Sequence, residues 1–283
     1  MISTATDLDA RHARLREILA GTESALIAYS GGVDSTLLLK VARDVLGDRA
    51  AGAIAVSPSL PARELDEARA FSAAIGVRLI EVRTDEVANP EYAKNPANRC
   101  FFCKSEPFAK LLPLADREGF RAVVYGEIAD DAGDFRPGRQ AAREARVRAP
   151  LQEAGFTKSD VRDLARRLGL EAWDKPASAC LSSRIPYGEA VTPEKLAQVE
   201  RAEAALHDLG FRACRVRHHG SVARIEVPTE DLARLAAPGV REQVVSGLRA
   251  AGFPFVALDL AGYRTGSLNE TLPSGAGRSG GAT

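Results

Sequence analysis

A short apolar run that ends in two adjacent glycines constrains this sequence more than any other stretch. Residues 25–30 have the length and composition of a buried strand, and an apolar stripe at helical spacing follows Asp34-Ser35. The pair Gly31-Gly32 lets the backbone turn sharply and lets amide N–H groups approach a ligand without an intervening Cβ. The helix adds unpaired N–H groups and the positive end of its dipole. We therefore predict an anion site, most naturally for phosphate, at this turn.

The residues of the turn resemble a known nucleotide-binding loop. They lack the Gly-x-x-x-x-Gly-Lys-Ser/Thr spacing of a Walker A loop. Ser-Gly-Gly-x-Asp-Ser, residues 30–35, instead resembles the PP-loop of the ATP pyrophosphatases, which binds the β,γ-pyrophosphate of ATP and leaves AMP on the substrate. Asp34 is also a candidate Mg²⁺ ligand, because that ion prefers carboxylate oxygens. The candidate ATP-binding residues of the loop are Ser30, Gly31, Gly32, Asp34 and Ser35.

Charge and hydropathy argue against two classes of function. The 283 residues include 38 basic and 38 acidic side chains, and a chain without net charge is not typical of a nucleic-acid binder. No stretch of about 18 apolar residues is present, so we expect no membrane span. The first residues predict an amphipathic helix rather than a signal peptide, which indicates a cytoplasmic, reducing setting. Residues 271–283, rich in Gly and Ser, are expected to be disordered.

Residues 24–128 alternate between strand and helix patterns. We predict strands at 25–30, 51–57, 77–83 and 121–125, and helices at about 35–46, 61–75 and 105–118. This alternation predicts an α/β fold with a doubly wound parallel sheet, which binds its ligand at the carboxyl ends of the strands. Gly126 and Asp131 follow the last of these strands and are further candidate ATP-binding residues. Another helix is expected from Thr157, an N-cap residue, to Leu168.

The pattern changes after Pro193. A helix at 194–209, strands near 212–217 and 221–227, a helix near 229–250 and a strand at 254–260 predict a second, smaller α+β module. We therefore divide the chain into a nucleotide-binding domain, residues 1–175, and a domain for substrate binding or oligomerisation, residues 176–270. The segment 174–192 between the two patterns contains Cys180 and is too rich in reactive side chains to be a passive linker.

Three of the four cysteines are candidates for chemistry. Cys100 and Cys103 form a Cys-x-x-Cys pair in a predicted loop, a weak signal that redox, zinc and iron–sulfur sites share. Together with Cys180 they could hold a cluster with one iron open to an external ligand, whereas a closed zinc site needs a fourth ligand. Candidates for that fourth ligand are Cys214, His218 and His219. Cys214 also alternates with an apolar residue on a predicted strand, which favours a structural role.

Five segments of the chain together resemble the LarE family. They are the PP-loop, CFFCK (residues 100–104), GEIADDAGDFRPG (126–138), KPASACLSSRIPYG (175–188) and LDLAGYRTGSLNE (258–270). LarE enzymes thiolate the nucleotide precursor of the nickel-pincer cofactor of lactate racemase, and the family suggests a homohexamer. The resemblance implies that ATP adenylates a carboxylate of pyridinium-3,5-biscarboxylic acid mononucleotide. A sulfur nucleophile then displaces AMP and gives a thiocarboxylate.

The LarE family uses two kinds of sulfur chemistry. One kind sacrifices a cysteine of the protein, which becomes dehydroalanine. The other holds a [4Fe–4S] cluster on three cysteines, and the cluster carries an extra sulfide. Members of the first kind lack the Cys-x-x-Cys pair, so the resemblance implies that Cys100, Cys103 and Cys180 ligate a cluster that takes sulfide or another sulfur source. In the alternative, Cys180 is itself the sulfur donor.

Charged side chains of the second domain are candidates for metal and phosphate binding. Glu203 interrupts the apolar stripe of the first helix of that domain, where a carboxylate is costly unless it is paired or metal-bound. The resemblance implies a metal-binding glutamate here, with Asp231 as a candidate partner. Arg215 and Arg217 share one strand face, which suits bidentate phosphate binding. The resemblance implies that they hold the phosphate of the substrate, and Arg184 is a further candidate anion ligand.

Three other functions share parts of this pattern. A PP-loop tRNA thiolase also adenylates its substrate, but such enzymes usually carry a basic RNA-binding module that the neutral charge does not favour. An ammonia-using synthetase with the same loop leaves the cysteines unexplained. A non-catalytic nucleotide sensor with a structural zinc site would contain zinc rather than iron and sulfide, so metal analysis distinguishes it from a sulfur transferase.

Overall fold

The computed structural model describes residues 5–133, 137–176 and 179–264, which divide into two compact units. The first unit contains Ala62–Asp85 and the described parts of residues 1–57 and 100–178. The second contains Pro58–Pro61, Glu86–Arg99 and the described part of residues 179–283. Two segments that the sequence analysis places in the first domain, Pro58–Pro61 and Glu86–Arg99, therefore belong to the second unit.

A four-stranded parallel sheet lies at the centre of the first unit. Its strands, in the order β3-β2-β1-β4, are β1 (Ala25–Ala28), β2 (Ala50–Val56), β3 (Arg78–Arg83) and β4 (Ala122–Tyr125). The order of the chain reverses at β1, which pairs with both β2 and β4. In open parallel sheets, such a reversal leaves a crevice at the carboxyl ends of the strands, where ligands bind. The predicted α/β fold with a doubly wound sheet is confirmed.

Helices cover both faces of this sheet. Ala25, Leu26 and Ile27 have no solvent-exposed surface, although consecutive strand residues point to opposite faces. This double burial explains why the strand reads as one continuous apolar run. The helices around the sheet are α1 (Ala5–Ala20), α2 (Val33–Leu46), α3 (Ala62–Ile75), α5 (Arg99–Glu118), α6 (Pro137–Glu144), α7 (Pro150–Glu153) and α8 (Lys158–Arg167), while the short α4 (Pro90–Ala93) belongs to the second unit.

Helix α5 begins earlier than the sequence pattern predicts. Cys100 and Cys103, which we expected in a loop, lie in its first turns. Phe101 packs against the same buried cluster as Phe108, so the apolar stripe that faces the sheet already starts there. The helix therefore starts six residues before the predicted start at residue 105 and continues through Pro107, where proline removes one helical hydrogen bond. The predicted loop at the Cys-x-x-Cys pair is therefore wrong.

A three-stranded mixed sheet lies at the centre of the second unit. Strands β5 (Arg215–His219) and β6 (Val222–Glu226) run antiparallel, and β6 and β7 (Phe255–Leu258) run parallel. The helices are α9 (Pro193–Asp208), α10 (Leu232–Ala236) and α11 (Val240–Ala250).

The predicted order of elements in this module is confirmed except for its second helix. We expected one helix near 229–250, and the structure has α10 and α11 instead. Pro238 and Gly239 separate the two helices. Proline cannot donate the backbone N–H that a helix interior needs, and Gly239 has a φ of 83°, which glycine adopts without strain.

No helix in the described ranges is both long and apolar enough to span a lipid bilayer. The tail that we expected to be disordered, residues 271–283, lies outside these ranges. So do parts of three motifs that resemble the LarE family, namely residues 134–136, 177–178 and 265–270.

Candidate functional site

The turn between β1 and α2 has the geometry of an anion site. Gly31 has a φ of 71°, and a Cβ on this residue would lie 3.0 Å from the Cβ of Ala68. Gly32 is the N-cap residue of α2 and has an extended backbone without a side-chain cap hydrogen bond. The N–H groups at the start of α2 are therefore not covered by a capping side chain, as an anion site at a helix N-terminus requires.

Two serine hydroxyls hold the turn in shape. The Ser35 Oγ donates to the carbonyl of Gly32 at 3.0 Å, accepts from the backbone N–H of Ser30 at 3.2 Å and lies 3.1 Å from the Ser30 Oγ. Ser35 is buried and Ser30 is exposed. Ser35 therefore stabilises the loop from inside, whereas the Ser30 side chain is accessible to a ligand.

Gly126 packs directly against the start of α2. A Cβ on Gly126 would lie 2.9 Å from the backbone nitrogen of Ser35 and 3.1 Å from the carbonyl carbon of Asp34, so only glycine fits. The carboxyl end of β4 and the N-terminus of α2 therefore meet at one edge of the sheet. Asp131, the other candidate after β4, accepts a hydrogen bond from the backbone N–H of Ile128 at 3.3 Å and stabilises its own loop.

Lys158, which the sequence analysis does not select, is the direct partner of Asp34. Its Nζ lies 2.8 Å from both carboxylate oxygens. Lys158 is the first residue of α8, where Thr157 is the predicted N-cap residue and forms a capping box with Asp160. The backbone N–H of Lys158 also donates to Asp130 at 2.7 Å. Nothing local in the sequence relates Lys158 to Asp34, because 124 positions separate them.

Lys175 connects the PP-loop to helix α3. Its Nζ donates to the carbonyl of Gly31 at 3.2 Å and contacts the carboxylates of Glu64 and Glu67 at 2.7 and 2.8 Å. Burial tends to raise the pKa of the Glu67 carboxyl, but the hydrogen bonds and charges of Lys175 and Arg63 together outweigh it, so this pKa is lowered. Lys175 therefore fixes the Gly31 peptide, whose positive φ shapes the loop.

The residues around Asp34 fit a magnesium ion that is bound mainly through phosphate. Within residues 5–133, 137–176 and 179–264, no group of three or more His, Cys, Asp or Glu side chains could hold a metal ion by itself. Mg²⁺ usually takes one or two protein carboxylates and completes its coordination with water and substrate phosphates. A single carboxylate at a phosphate site is therefore sufficient, and Asp34 would supply it.

The three candidate cluster ligands are all accessible to solvent to some degree. Cys100 is exposed and Cys103 is half-buried, and their spacing places them on the same face of α5. Cys180, in the second unit, is half-buried and precedes a one-turn 3₁₀ helix, Leu181–Arg184. Its carbonyl accepts a hydrogen bond from the Arg184 guanidinium at 3.1 Å. This exposure suits thiolates that receive an external group, but among the described residues the three cysteines do not form a group that could hold a metal ion.

Cys214 has the surroundings of a structural cysteine. It has no exposed surface, and its sulfur lies 3.8 and 3.9 Å from the Nε2 and Nδ1 atoms of His207. The two histidines considered as zinc ligands have other contacts. The Nε2 of His218 lies 3.2 Å from the Oε1 of Gln198, and the Nε2 of His219 accepts a hydrogen bond from Arg224 at 3.2 Å.

Arg184 and Glu203 form a buried ion pair. Two parallel N–H···O hydrogen bonds of 2.8 and 2.9 Å join them, and the residues are 2% and 6% exposed. The Glu203 Oε1 also accepts a hydrogen bond from the backbone N–H of Val216 at 2.9 Å. The carboxylate on the apolar stripe of α9 is therefore paired, and a metal ion would have to displace Arg184. Asp231, its candidate partner, forms an ion pair with Arg234 at 3.6 Å.

Arg215 and Arg217 lie on the same face of β5, although the strand begins three residues later than predicted. Arg217 is buried and donates to the Glu226 Oε2 at 2.7 Å. Arg215 is half-buried, and its guanidinium carbon lies 5.2 Å from the centre of the Tyr263 ring. Burial and the positive charge of Arg184 lower the pKa of Arg215. A bound phosphate would offset the repulsion between these two guanidinium groups.

Comparison with known proteins identifies relatives along nearly the whole chain, although no family model matches it. Pyridinium-3,5-bisthiocarboxylic acid mononucleotide synthase of Lactiplantibacillus plantarum is 38% identical over 266 residues, which are 94% of this chain and 96% of that protein. An uncharacterised protein of Synechocystis sp. is 48% identical over 265 residues, 94% of this chain and 99% of that protein. Both similarities therefore span the two units.

A more distant similarity covers part of the chain. One subunit of the glutamine-hydrolysing GMP synthase of Halobacterium salinarum is 26% identical over 223 residues, which are 71% of this chain and 68% of that protein. This relationship agrees with the Ser-Gly-Gly-x-Asp-Ser turn between β1 and α2, and it points to the PP-loop superfamily.

Proposed function

Because this chain belongs to the LarE family of PP-loop enzymes, we propose that it is an ATP-dependent sulfur transferase in nickel-pincer cofactor biosynthesis, a step in lactate racemase maturation. Its substrate is then pyridinium-3,5-biscarboxylic acid mononucleotide. The observation that carries the proposal is the 38% identity, over 94% of the chain, to a pyridinium-3,5-bisthiocarboxylic acid mononucleotide synthase. The geometry of the PP-loop turn supports the use of ATP, because an uncapped helix N-terminus stabilises bound phosphate.

The proposed reaction has two steps. In the first, a carboxylate oxygen of the substrate attacks the α-phosphorus of ATP, the bond to the bridging oxygen breaks, and pyrophosphate leaves. The N–H groups of α2 and the side chain of Lys158 would stabilise the departing pyrophosphate. Asp34 would hold Mg²⁺, which neutralises charge on the phosphates. In the second step, a sulfur nucleophile attacks the acyl carbon, the bond to the AMP oxygen breaks, and AMP leaves.

We propose that Cys100, Cys103 and Cys180 hold a [4Fe–4S] cluster. Three thiolates leave one iron of such a cluster open to an external ligand, such as sulfide. The accessibility of all three cysteines, and the position of Cys100 and Cys103 on one helix face, support this assignment. In the alternative chemistry, Cys180 gives up its own sulfur. The chain's thiols stay reduced in the cytoplasm, where we expect the protein to act.

The second unit is the proposed site for the phosphate of the substrate. Arg215 is the main candidate ligand, because Arg184 and Arg217 form ion pairs with buried carboxylates. Arg184 and Arg217 already bind the buried carboxylates of Glu203 and Glu226. They would therefore stabilise the conformation of this face of β5 and add positive potential to it. We also propose a homo-oligomer, a homohexamer by resemblance to the family, and neither a nucleic acid nor a membrane as a partner.

The reaction products test the first step. Protein purified without oxygen and incubated with ATP and the mononucleotide should release AMP and pyrophosphate, measured by chromatography. Asp34→Ala should abolish this release, whereas Asp44→Ala, which removes a surface ion pair on the same helix, should not. Release of ADP and phosphate would contradict a PP-loop mechanism.

The metal content tests the sulfur chemistry. We expect a brown protein with about four iron and four sulfide per chain, because a [4Fe–4S] cluster has that composition. Removing the iron should stop thiocarboxylate formation and leave ATP cleavage intact. A colourless protein that contains zinc would contradict the cluster and favour a structural zinc site.

A further inference from the structure

The ammonium group of Lys175 lies among three oxygen atoms of the PP-loop and helix α3. The side chain of Lys175 is 9% exposed. Its Nζ donates to the carbonyl of Gly31 at 3.2 Å and lies 2.7 and 2.8 Å from carboxylate oxygens of Glu64 and Glu67. An ammonium group has three N–H donors, as many as these oxygen partners. Lys175 therefore finds its partners inside the first unit and does not need a bound phosphate.

The rest of Lys175 is also held in place. Its backbone N–H donates to the carbonyl of Ala172 at 3.1 Å, and its own carbonyl accepts a hydrogen bond from Arg162 of α8 at 3.1 Å. Its Nζ lies 5.5 Å from the centre of the Phe71 ring. The lysine is thus fixed from its backbone to its tip, and the Gly31 carbonyl that it binds is fixed with it.

The carbonyl of Gly31 belongs to the same peptide group as the N–H of Gly32. A trans peptide is planar, so its C=O and N–H bonds point in opposite directions. Because Lys175 binds the carbonyl, the N–H of Gly32 points away from the ammonium group. There it donates to the Oγ of the exposed Ser30 at 3.4 Å, which is longer than the usual range of about 2.7–3.2 Å. A phosphate oxygen would be a better acceptor, because hydrogen bonds to anions are shorter and stronger.

The two glutamates explain what the charge of Lys175 is used for. Glu64 and Glu67 lie on neighbouring turns of α3 and both contact the ammonium group. Two carboxylates beside a phosphate loop would oppose an anion, since like charges repel. A lysine that bound phosphate directly would lose much of its attraction to them. A lysine that fixes a peptide group benefits from them, because they hold its ammonium group still.

We propose that Lys175, Glu64 and Glu67 form a latch that holds the Gly31–Gly32 peptide with its N–H directed at the phosphates of ATP. The latch serves the cleavage of ATP, and in this respect it rests on the proposed function. Its members are positioning residues, since they act through the peptide group and do not contact the nucleotide. A peptide between two glycines needs such support, because glycine adopts positive and negative φ about equally readily.

Two changes on opposite sides of the ion pairs test the latch. Lys175→Met keeps the length of the side chain and loses its charge and donors. Replacement of Glu64 and Glu67 together by Ala leaves the lysine in place and removes its partners. We expect both changes to weaken binding of magnesium pyrophosphate and of MgATP by roughly ten- to a hundredfold, the effect of losing a charge-assisted hydrogen bond. Calorimetric titration measures both affinities.

The double change is informative even if Lys175→Met does not fold. Loss of two negative charges beside a phosphate that Lys175 bound directly would strengthen binding, whereas loss of the latch weakens it. Asp66→Ala is the matched control, because it removes another carboxylate of α3 that pairs with Arg69 instead. This control should leave both affinities unchanged.

A spectroscopic signature reports the direction of the peptide itself. The sequence has two Gly-Gly pairs, Gly31–Gly32 and Gly280–Gly281. Protein labelled with ¹³C at glycine carbonyls and ¹⁵N at glycine amides therefore gives two signals in a solid-state carbonyl–nitrogen correlation spectrum, and Gly281→Ala removes one of them to assign the other. Magnesium pyrophosphate should shift the Gly32 nitrogen in the unmodified chain and in Asp66→Ala. Both latch changes should move the Gly31 carbonyl signal and abolish the shift with pyrophosphate.

Each other outcome overturns the latch. Folded variants that bind both ligands as tightly as the unmodified chain would show that the peptide needs no support. Tighter binding after the double change would identify Lys175 as a direct phosphate ligand. Weaker binding with an unmoved Gly31 carbonyl signal would show that the contacts act elsewhere. An unmodified chain that binds neither pyrophosphate nor ATP would show that the loop is not a phosphate site.

Failure of the proposed function has a different signature. A chain that binds both ligands, and whose variants lose affinity and the pyrophosphate shift as expected, but that never thiolates the mononucleotide would refute the proposed function and leave the latch standing.

Discussion

At the scale of single residues, Lys158 binds both carboxylate oxygens of Asp34, and under the proposed function its side chain stabilises the departing pyrophosphate of ATP. We expect Lys158→Ala to lower kcat/KM for ATP by roughly ten- to a hundredfold, because a charge-assisted hydrogen bond contributes about 1.5–3 kcal/mol. Pyrophosphate release measures this change. Lys40→Ala removes only a surface ion pair on α2 and should have no effect. An unchanged kcat/KM in Lys158→Ala would mean that Lys158 stabilises only the loop without bound nucleotide.

Substitutions of the two arginines of β5 should have different effects, one on binding and the other on stability. Arg215→Ala should weaken binding of the mononucleotide by roughly ten- to a hundredfold and leave ATP binding intact, because the charged hydrogen bonds to phosphate are lost. Calorimetric titration with each ligand would measure this. Arg217→Ala should instead lower the free energy of unfolding by about 3 kcal/mol, because it removes the main partner of the fully buried Glu226. Normal mononucleotide binding by Arg215→Ala would refute the phosphate site.

Replacing Gly126 by alanine, which adds only a methyl group, should have a large effect on stability and on ATP binding. A methyl group there would meet the backbone of α2, which cannot move without displacing the PP-loop. We expect Gly126→Ala to cost about 1–3 kcal/mol of stability, the usual cost of overpacking, and to raise KM for ATP. Gly21→Ala is the control, since its Cβ would lie at an ordinary contact distance of 3.6 Å. A Gly126→Ala protein with normal stability and KM would contradict this packing argument.

At the scale of elements, the Arg184–Glu203 pair joins the turn Leu181–Arg184 to helix α9. Glu203→Gln should lower the free energy of unfolding by about 3–5 kcal/mol, because it leaves a buried guanidinium without its counter-charge. Denaturant titration measures this, with Glu194→Gln at the exposed start of α9 as the control. If Glu203→Gln kept its stability but lost binding of a divalent ion, the glutamate would serve a metal site instead.

At the scale of the whole molecule, the fate of Cys180 distinguishes the two kinds of sulfur chemistry. With excess mononucleotide, ATP and sulfide, we expect several products per chain and an intact Cys180 in mass spectra of the protein. Replacing Cys100, Cys103 or Cys180 by Ala should remove both iron and sulfur transfer, whereas Cys214→Ala should remove neither. One product per chain, with loss of H₂S from Cys180, would overturn the cluster and identify a sacrificial cysteine.

The sequence by itself determined the α/β fold, the PP-loop turn and the α+β module. These features depend on local patterns, namely apolar periodicity, glycines at a turn and the N-cap at Thr157, and neighbours in sequence are enough to specify them. The burial of Glu203 also followed from its place on an apolar stripe. The local pattern was wrong at the Cys-x-x-Cys pair, which lies in the first turns of α5 rather than in a loop.

Only the tertiary structure decided which charged and polar groups meet. Lys158 binds Asp34 from 124 positions away, and Arg99 reaches Ser182 from 83 positions away. In the folded chain, the segments Pro58–Pro61 and Glu86–Arg99 also belong to the second unit. Long side chains can reach many partners, and the cost of burying a charge is recovered only where the folded chain supplies an opposite charge or a carbonyl. Apolar periodicity does not predict that pairing, because the pairing depends on the course of the whole chain in the fold.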